Sequence, residues 1–152
     1  MTNINNDIEF KSYIESLPWE RQRLLAIKFV EHAIDLVTDQ RVMDTLETAK
    51  NTDLSEEVLS DAFHGIRRLV FATYTQCGHE IDMLNVAEHY VALAAAICIQ
   101  PQDLFIKGEN PACKAALHCR QARSFQFLSQ GKDQASNKES HAQYKIAEDF
   151  GK

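Results

Sequence analysis

Only five glycines and three prolines interrupt these 152 residues, and that scarcity restricts the fold more than any other feature. Sandwiches and barrels need a turn about every 8–12 residues, and such turns draw heavily on Gly and Pro. Here apolar residues recur at three- and four-residue steps instead, the period of an amphipathic helix. The chain therefore reads as all-α, a bundle or short stack of about seven helices. Its length is close to the commonest domain size, so residues 1–152 are expected to form a single domain. A composition of 45% hydrophobic and 25% charged residues supports a true core rather than disorder.

Local signals place the helices. Asn6 or Asp7 can cap a short helix from Ile8 to Ser16, and Pro18 opens a second that runs to Val37 with no breaker inside it. That second helix has a wide apolar stripe of Trp19, Ala26, Val30, Ala33 and Val37, with Leu25, Phe29 and Leu36 beside them, enough for more than one neighbour. Thr38 or Asp39 caps a third, ending near Lys50 and forming a hairpin with the second. Asp53 and Glu56 have the spacing of a capping box for a fourth, which should end near Cys77-Gly78. The fifth, from Asp82 to Ile99, is rich in alanine and is expected at the centre of the bundle, with Pro101 ending it. Asn110-Pro111 opens a sixth that stops at Gly131. Ser136 and Glu139 form another capping box for a seventh, Asn137 to Asp149. The stretch between, 131–138, is expected to be a mobile loop.

The N-terminus, Met1 to Asp7, is polar and lacks the basic start and apolar stretch of a secretory signal, so a cytoplasmic location is expected. Val91 to Ile99, the longest apolar run, has nine residues, far short of the roughly 20 that cross a bilayer. Cys77, Cys98, Cys113 and Cys119 are expected to be free thiols, since a chain of this size needs no staples.

The polar residues offer little chemistry. Six histidines and four cysteines include no CxxC or HExxH pair. His118 and Cys119 are adjacent and point about 100° apart on a helix, so they cannot easily share an ion. Asp61 and His64 have the spacing of a di-iron Glu-x-x-His pair with the shorter acid, but nothing supplies the second half. Cys77-Gly78-His79 reads as a helix end with an incidental thiol. Nucleophile elbows and phosphate loops are absent. The expectation is a chain with no catalytic residue, cofactor or metal; the alternative is a small helical metal protein or enzyme built on Cys77, His79 and the other histidines.

Charge is unevenly distributed. Residues 1–110 hold 18 acidic and 9 basic side chains, and residues 111–152 hold 4 and 7. A net charge of −6 opposes nucleic-acid binding. Lys114, Arg120 and Arg123 share no sustained stripe and are expected on a solvated face, pairing with the acidic part. Asp39, Asp53 and Glu56 sit where helix caps and the positive end of the helix dipole favour anions. Glu31, Asp35, Asp44, Glu47 and Glu57 remain as candidates for a partner-binding surface.

The segment from Phe29 to Lys50 resembles helical immunity proteins of bacterial polymorphic and contact-delivered toxin systems. The features are Glu31-His32 near a helix end, an Asp39-x-Arg41 turn and a Leu46-Glu47-x-Ala49 step. Ala87-Glu88-His89-Tyr90 ahead of an alanine-rich run is similar too, and the resemblance spans residues 24 to about 100. It implies a cytosolic antidote that binds a cognate toxin domain and occludes it. An acidic helical surface suits a toxin with a basic cleft, such as a nuclease. A third possibility is a homo-oligomeric adaptor, with the apolar face left over from the Trp19–Val37 helix meeting a second copy.

Overall fold

Alanine sets the centre of this molecule. The computed structural model describes residues 3–76 and 82–152. In it the helix Met83–Ile99 packs most extensively against Pro111–Ser129, and then against every long helix before it. Ala87, Ala92, Ala94, Ala95 and Ala96 on the first and Ala112, Ala115, Ala116 and Ala122 on the second are at most 4% exposed. Side chains this small let two backbones approach closely, and the larger Phe29, Leu25 and Val91 fill the space around the pair.

In chain order the helices are α1 (Asp7–Glu15), α2 (Trp19–His32), α3 (Gln40–Lys50), α4 (Glu56–Gln76), α5 (Met83–Ile99), α6 (Pro111–Ser129) and α7 (Glu139–Phe150). Single 3-10 turns lie at Ile34–Leu36, Gln102–Leu104 and Gln134–Ser136, and no strand occurs among the described residues. The all-α architecture is as expected. The expected end of the fourth helix at Cys77-Gly78 lies outside the described residues. No helix among those described is long and apolar enough to cross a membrane.

Several caps are where the sequence puts them. Asn6 Oδ1 accepts the Glu9 N–H, Asp39 Oδ1 that of Arg41, Asp82 Oδ1 that of Leu84, and Asn110 Oδ1 that of Cys113. Each satisfies one N–H that the first helical turn leaves without a partner. Two expected capping boxes are not formed. Ser55, not Asp53, accepts the Val58 N–H at the start of α4. At α7 the Glu139 N–H goes to Asn137 Oδ1, while the Glu139 carboxylate turns inward.

The second helix also departs from expectation. It stops at His32, and Ile34–Leu36 continues as a 3-10 turn instead of running helically to Val37. The cause is tertiary: Arg123 on α6 donates to the His32 carbonyl and grips Asp35, which holds the chain off the helical path. The wide stripe on α2 is covered inside the chain by α5, α6, α3 and α7. Leu25, Phe29 and Val30 are 0% exposed, so that face is not left over for a second copy. After the turn, α3 lies chiefly across α5 and α4 and touches α2 less, a looser hairpin than expected.

Residues 131–138 are tied to α6. Gln134 Nε2 donates to the Ser124 carbonyl and Asn137 Nδ2 to Ser124 Oγ, and Gly131 takes the left-handed conformation at φ +67° that ends α6.

Candidate functional site

The five carboxylates singled out from the sequence fall into three settings. Glu31 on α2 and Glu47 on α3 are brought together by Lys50, whose Nζ lies 3.0 Å from one and 2.9 Å from the other. The two acids hold the lysine charged, Glu47 the more strongly, and push its pKa above the usual range. Asp35 leaves the group: its carboxylate receives both terminal nitrogens of Arg123. Asp44 and Glu57 are exposed and among the described residues meet no cation, Asp44 accepting there from Gln40 Nε2.

An excess of acidic side chains along α3 and the start of α4 follows from this placement. Residues 39–61 carry seven carboxylates against two cations, Arg41 and Lys50, and both cations are engaged, Arg41 by Asp39 and Lys50 by Glu31 and Glu47. Asp44, Asp53, Glu56, Glu57 and Asp61 are all exposed. Among the described residues none of them has a cation within ion-pairing distance. Between α3 and α4 runs a shallow groove of about 260 Å³, with Asp44 and Arg41 on one rim and Ala62, Gly65 and Ile66 on the other.

The motifs behind the family resemblance serve the corner that sets this edge. Asp39 caps α3 and holds the Arg41 guanidinium at 2.7 Å. Glu88, reaching over from α5, accepts from the backbone N–H groups of Thr38 and Asp39 and from the Thr38 hydroxyl. An anion at the start of a helix is favoured by the helix dipole as well. His32 bonds Glu139 at 2.8 Å. These residues fix the path from α2 into α3.

The basic residues of α6 pair with the acidic part as expected, but they are part-buried and do not form the expected solvated face, the Arg123 side chain being 13% exposed. Arg120 reaches Asp7 at 3.0 Å, Lys114 reaches Glu109 at 3.0 Å, and Arg123 reaches Asp35 at 2.9 Å. Arg123 also lies 3.3 Å from Glu139, which is only 4% exposed. These pairs hold Asp7 and Asp35 below the ordinary carboxylate range: a hydrogen bond from Tyr144 does most for Asp7 and one from Arg123 for Asp35.

The candidates for chemistry are distributed otherwise. Cys98 and Cys119 are fully buried; burial pushes the Cys98 thiol up to about 12 and that of Cys119 well above normal, so neither is a thiolate near neutral pH. Cys113, half-buried beside Asn110, is raised too, chiefly by desolvation. The three described cysteines are free, and Cys77 and His79 lie outside the described residues. Among the described residues no three of His, Cys, Asp and Glu gather as metal ligands do.

One pairing escaped the sequence reading: Thr73 Oγ1 on α4 sits 2.8 Å from His89 Nδ1 on α5. The hydroxyl also lies 2.9 Å and 3.0 Å from the carbonyls of Val70 and Leu69. With its proton turned to either carbonyl, the histidine nitrogen is the donor. Both residues are buried at 8% and 9% exposure, and desolvation lowers the His89 pKa, favouring the neutral ring. This is an interior tie between two helices. The cleft of about 490 Å³ beside Trp19, Glu20 and Arg23 is lined by Ser60 but by no histidine that could activate it. No family model, curated protein or solved structure matches this chain.

Proposed function

We propose that this chain is an immunity protein that acts in the cytosol by binding a cognate bacterial toxin and covering it with the acidic edge formed by α3 and the first two turns of α4. The observation that carries this reading is the set of exposed carboxylates Asp44, Asp53, Glu56, Glu57 and Asp61, none with a cation among the described residues. Asp7 and Asp35, by contrast, are paired internally with Arg120 and Arg123. A concentrated negative field of this kind raises the rate of encounter with a basic partner and discriminates against acidic ones. A toxin domain with a basic catalytic cleft, such as a nuclease, is the partner it suits.

The rigid frame behind the edge supports an inhibitor that docks in one shape. The α2–α3 corner is fixed by Asp39, Arg41 and Glu88, which lowers the ordering cost of presenting α3 on binding. The experiment is a titration of the purified chain against the toxin encoded beside its gene, at low and at high salt. Tight binding that weakens steeply as salt rises is expected. Binding indifferent to salt overturns the charged-edge mechanism, and no binding overturns the function.

A further inference from the structure

The outward face of α4 has two unlike halves. Opposite its core residues Ile66 and Val70 runs the stripe Glu57, Asp61, His64, Arg68, Phe71, all exposed and spaced by three or four residues. Acids occupy the first half, and cations and an aromatic ring the second. This order provides no support within the helix: Glu57 and Asp61 are like charges four apart, where opposite charges stabilise. α1, α3 and α7 each carry an internal ion pair, Lys11–Glu15, Lys50–Glu47 and Lys145–Asp149. Among the described residues α4 has none. The helix dipole accounts for glutamates in the first turn, but Arg67 and Arg68 lie about two turns short of the helix end, beyond its reach.

The arginines of the chain sharpen the contrast. Arg21 and Arg23 donate to the carbonyls of Phe150 and Cys98. Arg41, Arg120 and Arg123 pair with Asp39, Asp7 and Asp35. Arg67 and Arg68 alone meet no carboxylate or carbonyl among the described residues; Arg67 rests 5.6 Å from the Phe63 ring. Beside them Phe71 is 69% and Tyr74 66% exposed. Leu104, 54% exposed, closes the far side of a groove of about 590 Å³ that Phe71 and the two arginines line.

We infer that α4 is a self-association surface, on which two copies of this chain pair antiparallel about a two-fold axis near His64. In that register Asp61 of one copy lies opposite Arg67 and Arg68 of the other. Glu57 lies opposite Phe71, one turn from Arg68. A two-fold interface must be complementary to itself, and a helix acidic in one half and basic in the other meets that condition in the antiparallel direction alone. The face from Glu57 to Phe71 is about 20 Å long. One helix of that length covers less than the roughly 800 Å² per copy of a standard interface, so the dimer is expected to dissociate in the micromolar range. Pairing covers Glu57 and Asp61 and leaves Asp44 and Asp53 open.

Sedimentation velocity over a range of concentrations tests this without any toxin, so its failure leaves the toxin reading standing. Wild-type protein should self-associate, and R68E or D61K alone should weaken association at least about tenfold, because each sets like charges across the axis twice. An equimolar mixture of R68E and D61K should associate again, since in the mixed pair both contacts are of opposite sign. The double variant D61K/R68E should regain self-association for the same reason, and Phe71→Ala, which changes no charge, should weaken it. A wild-type chain that stays monomeric up to on the order of 100 µM overturns the proposal, whether or not another acidic protein occupies the face. So does a mixture of folded single variants that does not recover.

Discussion

Arg123 on α6 and Asp35, 88 residues earlier, meet as a parallel fork, Nη1 2.9 Å from one carboxylate oxygen and Nη2 3.0 Å from the other. The same guanidinium donates through Nε to Glu139 and through Nη2 to the carbonyl of His32. One side chain thereby joins α6 to the end of α2 and the start of α7.

The two acids on Arg123 differ in burial, so removing the guanidinium should cost more than removing the exposed acid alone. Glu139 is 4% exposed, and Arg123→Ala leaves it inside the protein with only His32 beside it. A loss of about 3–5 kcal/mol is expected, because a buried charge loses its partner. The Asp35 side chain is 56% exposed, and Asp35→Asn should cost about 0–1 kcal/mol, as for other solvent-screened pairs. Urea denaturation of both variants at neutral pH checks the contrast; equal losses would mean that Arg123 acts through Asp35 and not through Glu139.

Acid should weaken the protein in two stages. His89 and His118 are lowered from the ordinary value of 6.5 by burial, so the unfolded chain takes up protons first and stability declines as pH falls below about 6.5. Asp7, Asp35 and Asp39 are lowered from 3.8. Their stabilisation is complete above the unfolded value and is lost as pH falls through the folded one, a second decline below about pH 4. Urea midpoints across pH 3–8 should show both, and His118→Gln should flatten the upper stage while leaving the lower one.

Thiol reactivity should follow burial. In the native protein Cys98 and Cys119 are expected to resist alkylation at pH 8, with Cys113 slower than a free thiol, and all three should react in denaturant. Peptide mass spectrometry reads each site separately. Rapid native labelling of Cys98 would mean that the α5–α6 pair opens on the timescale of the reagent.

The acidic edge should matter for binding and not for folding. Asp44, Glu47 and Glu57 are exposed, so converting all three to their amides in the variant D44N/E47Q/E57Q should change stability, read from the urea midpoint, by no more than about 0.5 kcal/mol. Its association rate with the toxin should fall and lose part of its salt dependence. An unchanged rate would place the contact surface elsewhere.

Much of the fold was legible because the signals were local. The alanines of α5, the Asn110-Pro111 start of α6 and the Asp39 cap each report on their own turn of chain. What was illegible depended on distant partners. The second helix carries no breaker before Val37, yet Arg123 from α6 ends it at His32. Glu139 has the spacing of a capping glutamate, yet a guanidinium and an imidazole from two other helices draw its carboxylate inward. Of the candidate surface, exposure at Asp44 and Glu57 followed from helical period. The diversion of Asp35 did not, because nothing near it in sequence announces Arg123. The Arg67, Arg68 and Phe71 face was written in the α4 stripe all along and becomes conspicuous only when the other arginines are seen to be engaged.

Glycine substitutions separate helix propensity from backbone strain. Gly65 lies mid-way along α4, does not have a positive φ, and a Cβ added there would meet nothing within 4 Å. Alanine at this position restricts the unfolded chain and suits the helix, so Gly65→Ala should stabilise the monomer by about 0.4–1 kcal/mol. Gly131 also has open space around it, but its φ of +67° is one that L side chains rarely adopt. Gly131→Ala should therefore destabilise by about 1–2 kcal/mol. Thermal unfolding at low protein concentration, where self-association is absent, measures both. Opposite signs are required: a destabilising Gly65→Ala would mean that the groove between α3 and α4 closes more tightly on Gly65 than its open surroundings indicate.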